Sequence, residues 1–463
     1  MRIPLFPRRA ARPAVAALAV VAATLALSPA PAAAATPDVQ RVVGPNGVTA
    51  WLVEDHANPV ISVKLAVPGG GASDPAGKAG LANMAASLLT EGAGDMDSQA
   101  FQAKLAEKAI KLSFDASSDH VTGRLQTLTK HRGTAAEMLS LALTAPRFDA
   151  PALERTRSQI LASLAQKATR PASQANRALQ RVLYPDHPYG NRVSGREATV
   201  KAITRADLTA FADSRFARER LIVGVAGDIT PEQLKAWLGT AFGELPKQGG
   251  DLPEVPEVEA KGAGAKVVIE QDVPQSWVAF GHGGITRDDP DFYAAQLVDY
   301  ILGGGSFASR LYDEVREKRG LVYSVYTYMN PLAHGAMYAG GLGTSNRQVG
   351  EAVAVVREQW RKLAENGPTK DELADAKTHV ISSFPLRLSS TSKIAEVLVA
   401  MQRENLGIDY IDKRRELIRG VTLADAKRVA AEMLQPGNLA VVVVGKPAGF
   451  DANRPAPEYD AEG

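Results

Sequence analysis

The segment Ile203-Thr204-Arg205-Ala206-Asp207-Leu208, which leads into the apolar run 221–228, has a counterpart near the other end of the chain. There, Val421-Thr422-Leu423-Ala424-Asp425-Ala426 leads into the apolar run 439–445. Thr204 and Thr422 are 218 positions apart, and Gly227 and Gly445 are separated by the same number. A near-constant offset over consecutive elements indicates an internal repeat, and here it predicts a duplicated domain of roughly 200 residues.

Each predicted copy alternates strands with helices. Val60–Val67 has the alternation of a strand and stops at the Pro-Gly-rich stretch 68–71. Residues 78–90 place their apolar side chains at helical spacing. Thr204 and Thr422 each have an Asp three positions later, which is typical of a helix N-cap. The sequence therefore predicts an α+β fold with two homologous domains, each an antiparallel or mixed β-sheet packed with helices.

Composition places the domain boundaries. Residues 244–264 are rich in Pro, Gly and charge and have no periodicity, as expected of an extended connection. The predicted organisation is a signal peptide at 1–35, an N-terminal domain at 36–247, a linker at 248–264 and a C-terminal domain at 265–463.

The first 35 residues have the layout of a secretory signal peptide. Four arginines within the first 12 residues precede an apolar run at 14–27, and small residues at 32–35 offer a cleavage site. The apolar run is short for a membrane span. The sequence therefore predicts a periplasmic or otherwise exported protein that is soluble after signal removal, with retention as an uncleaved anchor as the alternative.

Composition also excludes several functions. The 463 residues include 53 Lys+Arg, 51 Asp+Glu and no Cys. Such a balanced charge argues against a nucleic-acid partner, because no basic excess is available for phosphates. The absence of Cys excludes disulfides, thiolate metal sites and cysteine nucleophiles. The seven His lie at least 11 positions apart, so no His-x-x-x-His pair offers two ligands from adjacent turns of a helix. Scattered surface or core His is the simpler interpretation.

Residues 309–325 predict a corner between a helix and a strand. The charged helix ends at Gly320, a residue type that favours the left-handed conformation of a helix C-cap. Arg316 and Tyr323 lie on opposite sides of this corner, although a solvated helix face followed by a strand with one exposed Tyr is the simpler interpretation of their spacing. Just upstream, Gly303-Gly304-Gly305-Ser306 predicts a turn at which the backbone approaches another group closely.

Over residues 40–447 the chain resembles the insulinase/pitrilysin group of metallopeptidases, especially two-domain members such as the mitochondrial processing peptidase subunits. The motifs that carry the resemblance are, in chain order, Asp74-Pro75, Gly80-Leu81-Ala82, Thr90-Glu91-Gly92, His187-Pro188-Tyr189-Gly190, Val225-Ala226-Gly227-Asp228, Leu302-Gly303-Gly304-Gly305, Ser309-Arg310-Leu311 and the segment 316–325.

The resemblance implies a degenerate zinc site. Active members carry His-x-x-Glu-His on the first long helix and a third ligand, a Glu, further along the chain. The positions that match are Asn83, Ala86 and Ser87, with Ser163 at the third ligand. Asn and Ser lack the imidazole and carboxylate donors that hold zinc, and Ala86 cannot act as a base. The resemblance therefore implies no metal site or cofactor in this chain and no peptide cleavage by the chain alone.

The second half retains what the resemblance implies is a substrate-binding half-site. In this family an Arg and a Tyr of the second domain reach the substrate, and Arg316 and Tyr323 match them. Gly303, Gly304, Gly305 and Ser306 then border the substrate channel. The resemblance implies a clam-shell chamber and a heterodimer with a zinc-bearing homologous subunit that hydrolyses an extended peptide. Self-association into a homodimer is left open. The alternative is a retired peptidase homologue that acts as a peptide-binding or structural assembly protein.

Overall fold

Two β-sheets form the framework of residues 37–457, which are the residues that the structure, a computed structural model, describes. The predicted signal peptide at 1–35 lies outside the described residues. The strands are β1 (Gln40–Val43), β2 (Thr49–Glu54), β3 (Val60–Pro68), β4 (Gly92–Ala93), β5 (Met96–Asp97), β6 (Lys111–Ala116), β7 (His120–Leu128), β8 (Ile222–Gly227), β9 (Lys266–Glu270), β10 (Gln275–Gly283), β11 (Ser324–Leu332), β12 (Gly335–Ser345) and β13 (Ala440–Gly445).

Helices occupy most of the sequence between the strands. They are α1 (Leu81–Leu88), α2 (Ser98–Glu107), α3 (Arg132–Thr144), α4 (Ala150–Ala168), α5 (Pro171–Leu183), α6 (Glu197–Ala202), α7 (Arg205–Arg215), α8 (Pro231–Phe242), α9 (Phe292–Asp299), α10 (Val349–Asn366), α11 (Lys370–Ser382), α12 (Thr391–Arg403), α13 (Tyr410–Gly420) and α14 (Leu423–Met433). Among the described residues, no helix has both the length and the apolar character needed to cross a bilayer.

The two sheets have the same topology. The first has the order β1-β2-β8-β3-β7-β6 and the second the order β11-β12-β10-β13-β9. Without β1, the first sheet matches the second strand for strand when one of them is read backwards. In each sheet one pair is parallel (β2 with β8, β9 with β13) and the other pairs are antiparallel. The predicted α+β fold with two homologous sheet domains is confirmed.

The predicted N-caps are present at equivalent places in the two halves. The Thr204 hydroxyl accepts a hydrogen bond from the backbone N–H of Asp207 (3.3 Å), whose carboxylate accepts one from the Thr204 N–H (2.7 Å). Thr422 and Asp425 repeat the arrangement at 3.1 and 2.8 Å. Each reciprocal pair satisfies backbone donors at the start of a helix, and so fixes where α7 and α14 begin.

Each sheet buries both faces. On one face of the first sheet, helices α1, α3, α7 and α8 form a large apolar core, and α9, α10 and α14 do the same for the second sheet. The other face of each sheet is covered by a helix from the opposite half: α5 packs on β10 and β13, and α12 packs on β3 and β8. All described residues from Asp38 onward belong to one compact unit.

The predicted linker has no helix or strand between Phe242 and Lys266, but it is attached to both halves. The Val258 N–H donates to the His334 carbonyl (2.9 Å), and the Lys261 N–H donates to the Leu183 carbonyl (2.7 Å). The connection is therefore extended along the surface and hydrogen-bonded to it.

Candidate functional site

Helix α1 carries the positions of the degenerate metal site. Asn83 is half-buried, Ala86 is buried and Ser87 is exposed, with the Ser87 hydroxyl donating to the Asn83 carbonyl (2.8 Å). Ser163 is half-buried on α4, which packs against α1. An amide, a methyl and two hydroxyls do not fit zinc, which requires imidazole, thiolate or carboxylate donors. Within residues 37–457, no three His, Asp or Glu side chains are grouped to hold a metal.

A partly buried carboxylate fixes the start of α1. Asp74 accepts hydrogen bonds from the N–H groups of Gly80 (2.8 Å) and Ala82 (2.9 Å), and so caps the helix from outside. Burial raises the pKa of Asp74 to about 7, in spite of these hydrogen bonds and the nearby Arg215. Burial also lowers the pKa of Arg215 to about 10, and Arg215 donates to the carbonyls of Gly69 and Ser73 (3.1 and 2.9 Å). The helix thus keeps its N-terminal support although its ligand positions are lost.

Arg316 lies in a π-helical segment, Tyr312–Glu317, closed by a hydrogen bond from the Lys318 N–H to the Asp313 carbonyl (2.9 Å). Its Nη1 donates to the Tyr312 hydroxyl (2.7 Å), and its guanidinium carbon is 4.8 Å from the centre of the Tyr312 ring. Arg316 makes no ion pair with a carboxylate of the described residues. Short π-helical segments inside helices are frequent at functional sites.

Tyr323 lies across the predicted corner. Gly320 has the left-handed conformation expected of it (φ 62°), and the chain then turns into β11. The Tyr323 backbone N–H donates to the Gly343 carbonyl (3.1 Å), while its side chain is 67% exposed. The backbone is therefore fixed by the sheet, and the phenol is left available to a ligand.

The glycine-rich segment is helical at Gly303 and Gly304, where the sequence predicted a turn, and the turn begins at Gly305. Tyr300–Gly304 extends α9 as a π-helical segment, closed by a hydrogen bond from the Gly305 N–H to the Tyr300 carbonyl (2.9 Å). The close approach is present, but to the chain itself: a Cβ on Gly303 would lie 2.6 Å from the Thr327 hydroxyl oxygen. Gly303 is buried, Gly305 is half-buried, and Gly304 and Ser306 are exposed. The segment is helical because the apolar residues of α9 continue through Ile301 and Leu302, which are buried in the core.

Two aromatic residues beside Arg316 escaped the sequence analysis. Phe307 is 76% exposed, and its ring lies edge-on to Tyr312 with centres 4.8 Å apart. Each of them had a signal in the sequence. Phe307 directly follows a glycine-rich stretch. Tyr312 lies four positions before Arg316, a spacing that places the two on the same helical face. Phe307, Tyr312 and Arg316 thus form a cluster of two aromatic rings and one cation in the second half.

Fold and site together define a duplicated α+β protein of the peptidase type with no zinc-binding motif. Residues 49–197 match the family described as "Insulinase (Peptidase family M16)", and residues 202–380 match that described as "Peptidase M16 inactive domain". The chain is 32% identical over 342 residues to the non-peptidase homolog YmxG of Helicobacter pylori, covering 73% of this chain and 78% of that protein. The chain belongs to the insulinase (M16) family.

Two further comparisons extend over nearly the whole chain. A probable mitochondrial-processing peptidase subunit beta of Schizosaccharomyces pombe is 25% identical over 448 residues, covering 91% of this chain and 95% of that one. The crystal structure of a peptidase M16 inactive domain from Pseudomonas fluorescens aligns with a TM-score of 0.82 at 28% identity, covering 90% of this chain and all of that one. The predicted family is confirmed, and relatives described as inactive or non-peptidase fit a chain that holds no zinc.

Proposed function

We propose that this chain is the zinc-less subunit of a heteromeric metalloendopeptidase, to which it supplies Arg316 and Tyr323. The observation that carries the proposal is an asymmetry between the halves. Helix α1 has lost every metal-binding side chain, whereas the second half keeps an exposed Tyr and an Arg that has no carboxylate partner among the described residues. A homologous partner supplies the zinc and the general base.

Arg316 and Tyr323 have distinct roles in this proposal. The guanidinium binds a peptide carbonyl or carboxylate through its planar fork, because no described carboxylate neutralises it. The Tyr323 hydroxyl donates a hydrogen bond to the oxygen on which negative charge develops during attack on the scissile carbonyl. Neither role requires a metal in this chain.

An extended peptide is the ligand that the sheets favour. The edge strand β6 pairs only with β7 and lies against α1, and the edge strand β11 pairs only with β12 and begins one residue after Tyr323. A peptide that adds to such an edge is held through its backbone and so tolerates varied sequences. In the proposal the two subunits enclose it in a clam-shell chamber, and the complex is exported to the periplasm.

Relatives support a partner. The Schizosaccharomyces pombe protein is by name one subunit of a processing peptidase. By analogy, the present chain pairs with a homologue that carries His-x-x-Glu-His, and the pair rather than a homodimer is the active species.

The test is reconstitution with such a homologue. We expect no cleavage of a quenched fluorescent peptide by this chain alone or by its mixture with the metal-free partner. The mixture with the zinc-loaded partner cleaves it. Tyr323→Phe lowers kcat/KM of the mixture by roughly 10²-fold, the usual cost of removing one oxyanion donor. Arg316→Ala lowers it by about tenfold or more, because a charge-assisted hydrogen bond to the substrate is lost. Arg319→Ala and Tyr328→Phe, which alter exposed neighbours of the same types, leave it within about twofold. Equal cleavage by wild type and an Arg316→Ala/Tyr323→Phe double variant refutes the half-site.

A second function, peptide binding or assembly without any proteolysis, is favoured by one observation: a 32% identical relative is described as a non-peptidase homolog. It predicts stable association with a peptide or a protein and no activity with any zinc-bearing homologue. Measuring binding and cleavage on the same reconstituted sample separates the two functions.

A further inference from the structure

A cavity of about 540 Å³ lies behind the glycine-rich segment, between residues 304–308 and the region where α11 leads into α12. Three basic side chains line it: His379, Arg387 and Arg414. Asp299 is the one acidic side chain among its described lining residues. The cavity is therefore a concentration of positive charge next to the proposed half-site.

Neither arginine is neutralised by an acid. Arg414 is 8% exposed, donates to the Val380 carbonyl (3.1 Å) and stacks on the Phe384 ring, with its guanidinium carbon 4.4 Å from the ring centre. Arg387 is exposed, and its side chain makes no ion pair or hydrogen bond with a described residue. Burial, chiefly, and the charge of Arg387 lower the pKa of Arg414. Two guanidinium groups that repel each other, one of them buried, favour the binding of an anion between them.

Asp299 offsets only part of this charge. One of its carboxylate oxygens accepts a hydrogen bond from the Thr327 hydroxyl (2.6 Å), and a Cβ on Gly304 would lie 2.5 Å from the other. Burial raises the pKa of Asp299 to about 6. The carboxylate is thus hydrogen-bonded to β11, and no ion pair joins it to either arginine.

The backbone beside the cavity has the geometry of an anion-binding nest. Gly305 (φ −77°, ψ 11°) is followed by Ser306 in the left-handed conformation (φ 50°). Consecutive right- and left-handed residues aim their N–H groups toward one point. The N–H groups of Ser306 and Phe307 precede the first hydrogen bond of the following turn, which Ala308 donates to Gly305 (3.1 Å).

We propose that this cavity binds a carboxylate of the peptide ligand, either an acidic side chain or the C-terminal carboxylate, between Arg387, Arg414 and the backbone at 305–307. The proposal rests on the proposed function in taking a peptide as the ligand. This subsite lies next to the half-site. Phe307 lines the cavity and also contacts the ring of Tyr312, which is hydrogen-bonded to Arg316. Peptides with a carboxylate on one side of the scissile bond are then the preferred substrate class.

The experiment measures binding to this chain alone and needs no partner, so its result is independent of whether reconstituted cleavage is found. Three ten-residue peptides of Ala, Ser and Gly, each labelled with an uncharged fluorophore, are compared by fluorescence anisotropy. One has a central Glu and a C-terminal amide, one a central Gln and an amide, and one a central Gln and a free C-terminus. The variants are Arg387→Gln, the charge-preserving Arg387→Lys, and the control Arg415→Gln, an exposed arginine on the same helix as Arg414 that does not line the cavity.

The wild-type chain is expected to bind a carboxylate-bearing peptide about tenfold more tightly than the neutral one, the usual gain from a charge-assisted pair. Whether the Glu or the free C-terminus gives the gain identifies the source of the carboxylate. Arg387→Gln abolishes the preference, whereas Arg387→Lys retains part of it and Arg415→Gln all of it. Equal binding of the three peptides by the wild type overturns the proposal, and so does a preference that survives Arg387→Gln.

Discussion

Arg310 and Arg316 lie close together in the sequence but have different structural roles. Arg310 donates to both carboxylate oxygens of Glu372 (2.6 and 2.7 Å), a bidentate pair that joins the start of the Arg316-bearing helix to α11. Arg316, less than two turns further on, has a phenol as its partner instead of an acid. A bidentate carboxylate leaves little of a guanidinium for a ligand, whereas a phenol leaves its charge intact. Arg310 is therefore a structural residue and Arg316 the candidate ligand-binding one, a distinction that sequence spacing does not make.

Asp74 predicts a specific pH dependence of stability. Its folded-state pKa, about 7, is above the ordinary value of an unfolded Asp, so the native state binds the extra proton between about pH 4 and 7. The contribution of Asp74 is therefore present below about pH 4 and is lost as the pH rises to 7. In urea unfolding from pH 4 to 8, the stability of the wild type relative to Asp74→Asn should fall by up to a few kcal/mol over this interval.

Asp95→Asn, which changes an exposed carboxylate near α1, is the control for this measurement. The relative stability of wild type and Asp95→Asn should not change in the same way. The role assigned to burial of Asp74 is contradicted if the stability of the wild type relative to Asp74→Asn stays constant or increases as the pH rises.

At the scale of elements, the features that depend on a few neighbouring residues are the ones that the sequence predicted correctly. The capping pairs at Thr204 and Thr422 and the left-handed Gly320 depend on a few neighbouring residues, and the structure has all three. The turn predicted over the glycine-rich segment is wrong at Gly303 and Gly304, which are helical, because glycine is a poor helix former in isolation. Its π-helical form results from burial of Ile301 and Leu302 and from contact with β11, and neither is visible in the local sequence.

Gly303 tests whether the π-helical segment requires a glycine. In Gly303→Ala the new methyl group would lie 2.6–2.8 Å from three atoms of Thr327, one of them its backbone nitrogen. The fixed sheet cannot move away cheaply, so a loss of about 1–3 kcal/mol in the free energy of unfolding is expected in denaturant titration. Gly420→Ala is the control, because no atom lies within 4 Å of that position and Ala favours a helix. Equal stability of the two variants would show that β11 is not rigid at this point.

At the scale of the molecule, the repeat was visible in the sequence but the exchange of helices was not. The equal spacing of Thr204–Thr422 and Gly227–Gly445 predicts two copies, and the matching strand orders agree with it. Nothing in that spacing shows that α5 lies on the second sheet and α12 on the first. Both helices are amphipathic, and such a pattern indicates a buried face without naming its partner. The partner of each helix is set by tertiary packing.

This exchange predicts that the halves do not fold separately. Leu179 and Ala178 of α5 are buried against the second sheet, and Leu398 and Ala395 of α12 against the first. A fragment 38–250 keeps α5 but loses α12, so one face of its sheet is exposed, and 251–463 has the converse defect. Each fragment alone should lack a cooperative unfolding transition, and co-expressed fragments should purify as one complex. Leu179→Ala and Leu398→Ala should each lower the stability of the intact chain by about 2–5 kcal/mol while leaving a single transition. A fragment that unfolds cooperatively by itself would show that the covering helix is dispensable and that the two halves are independent domains.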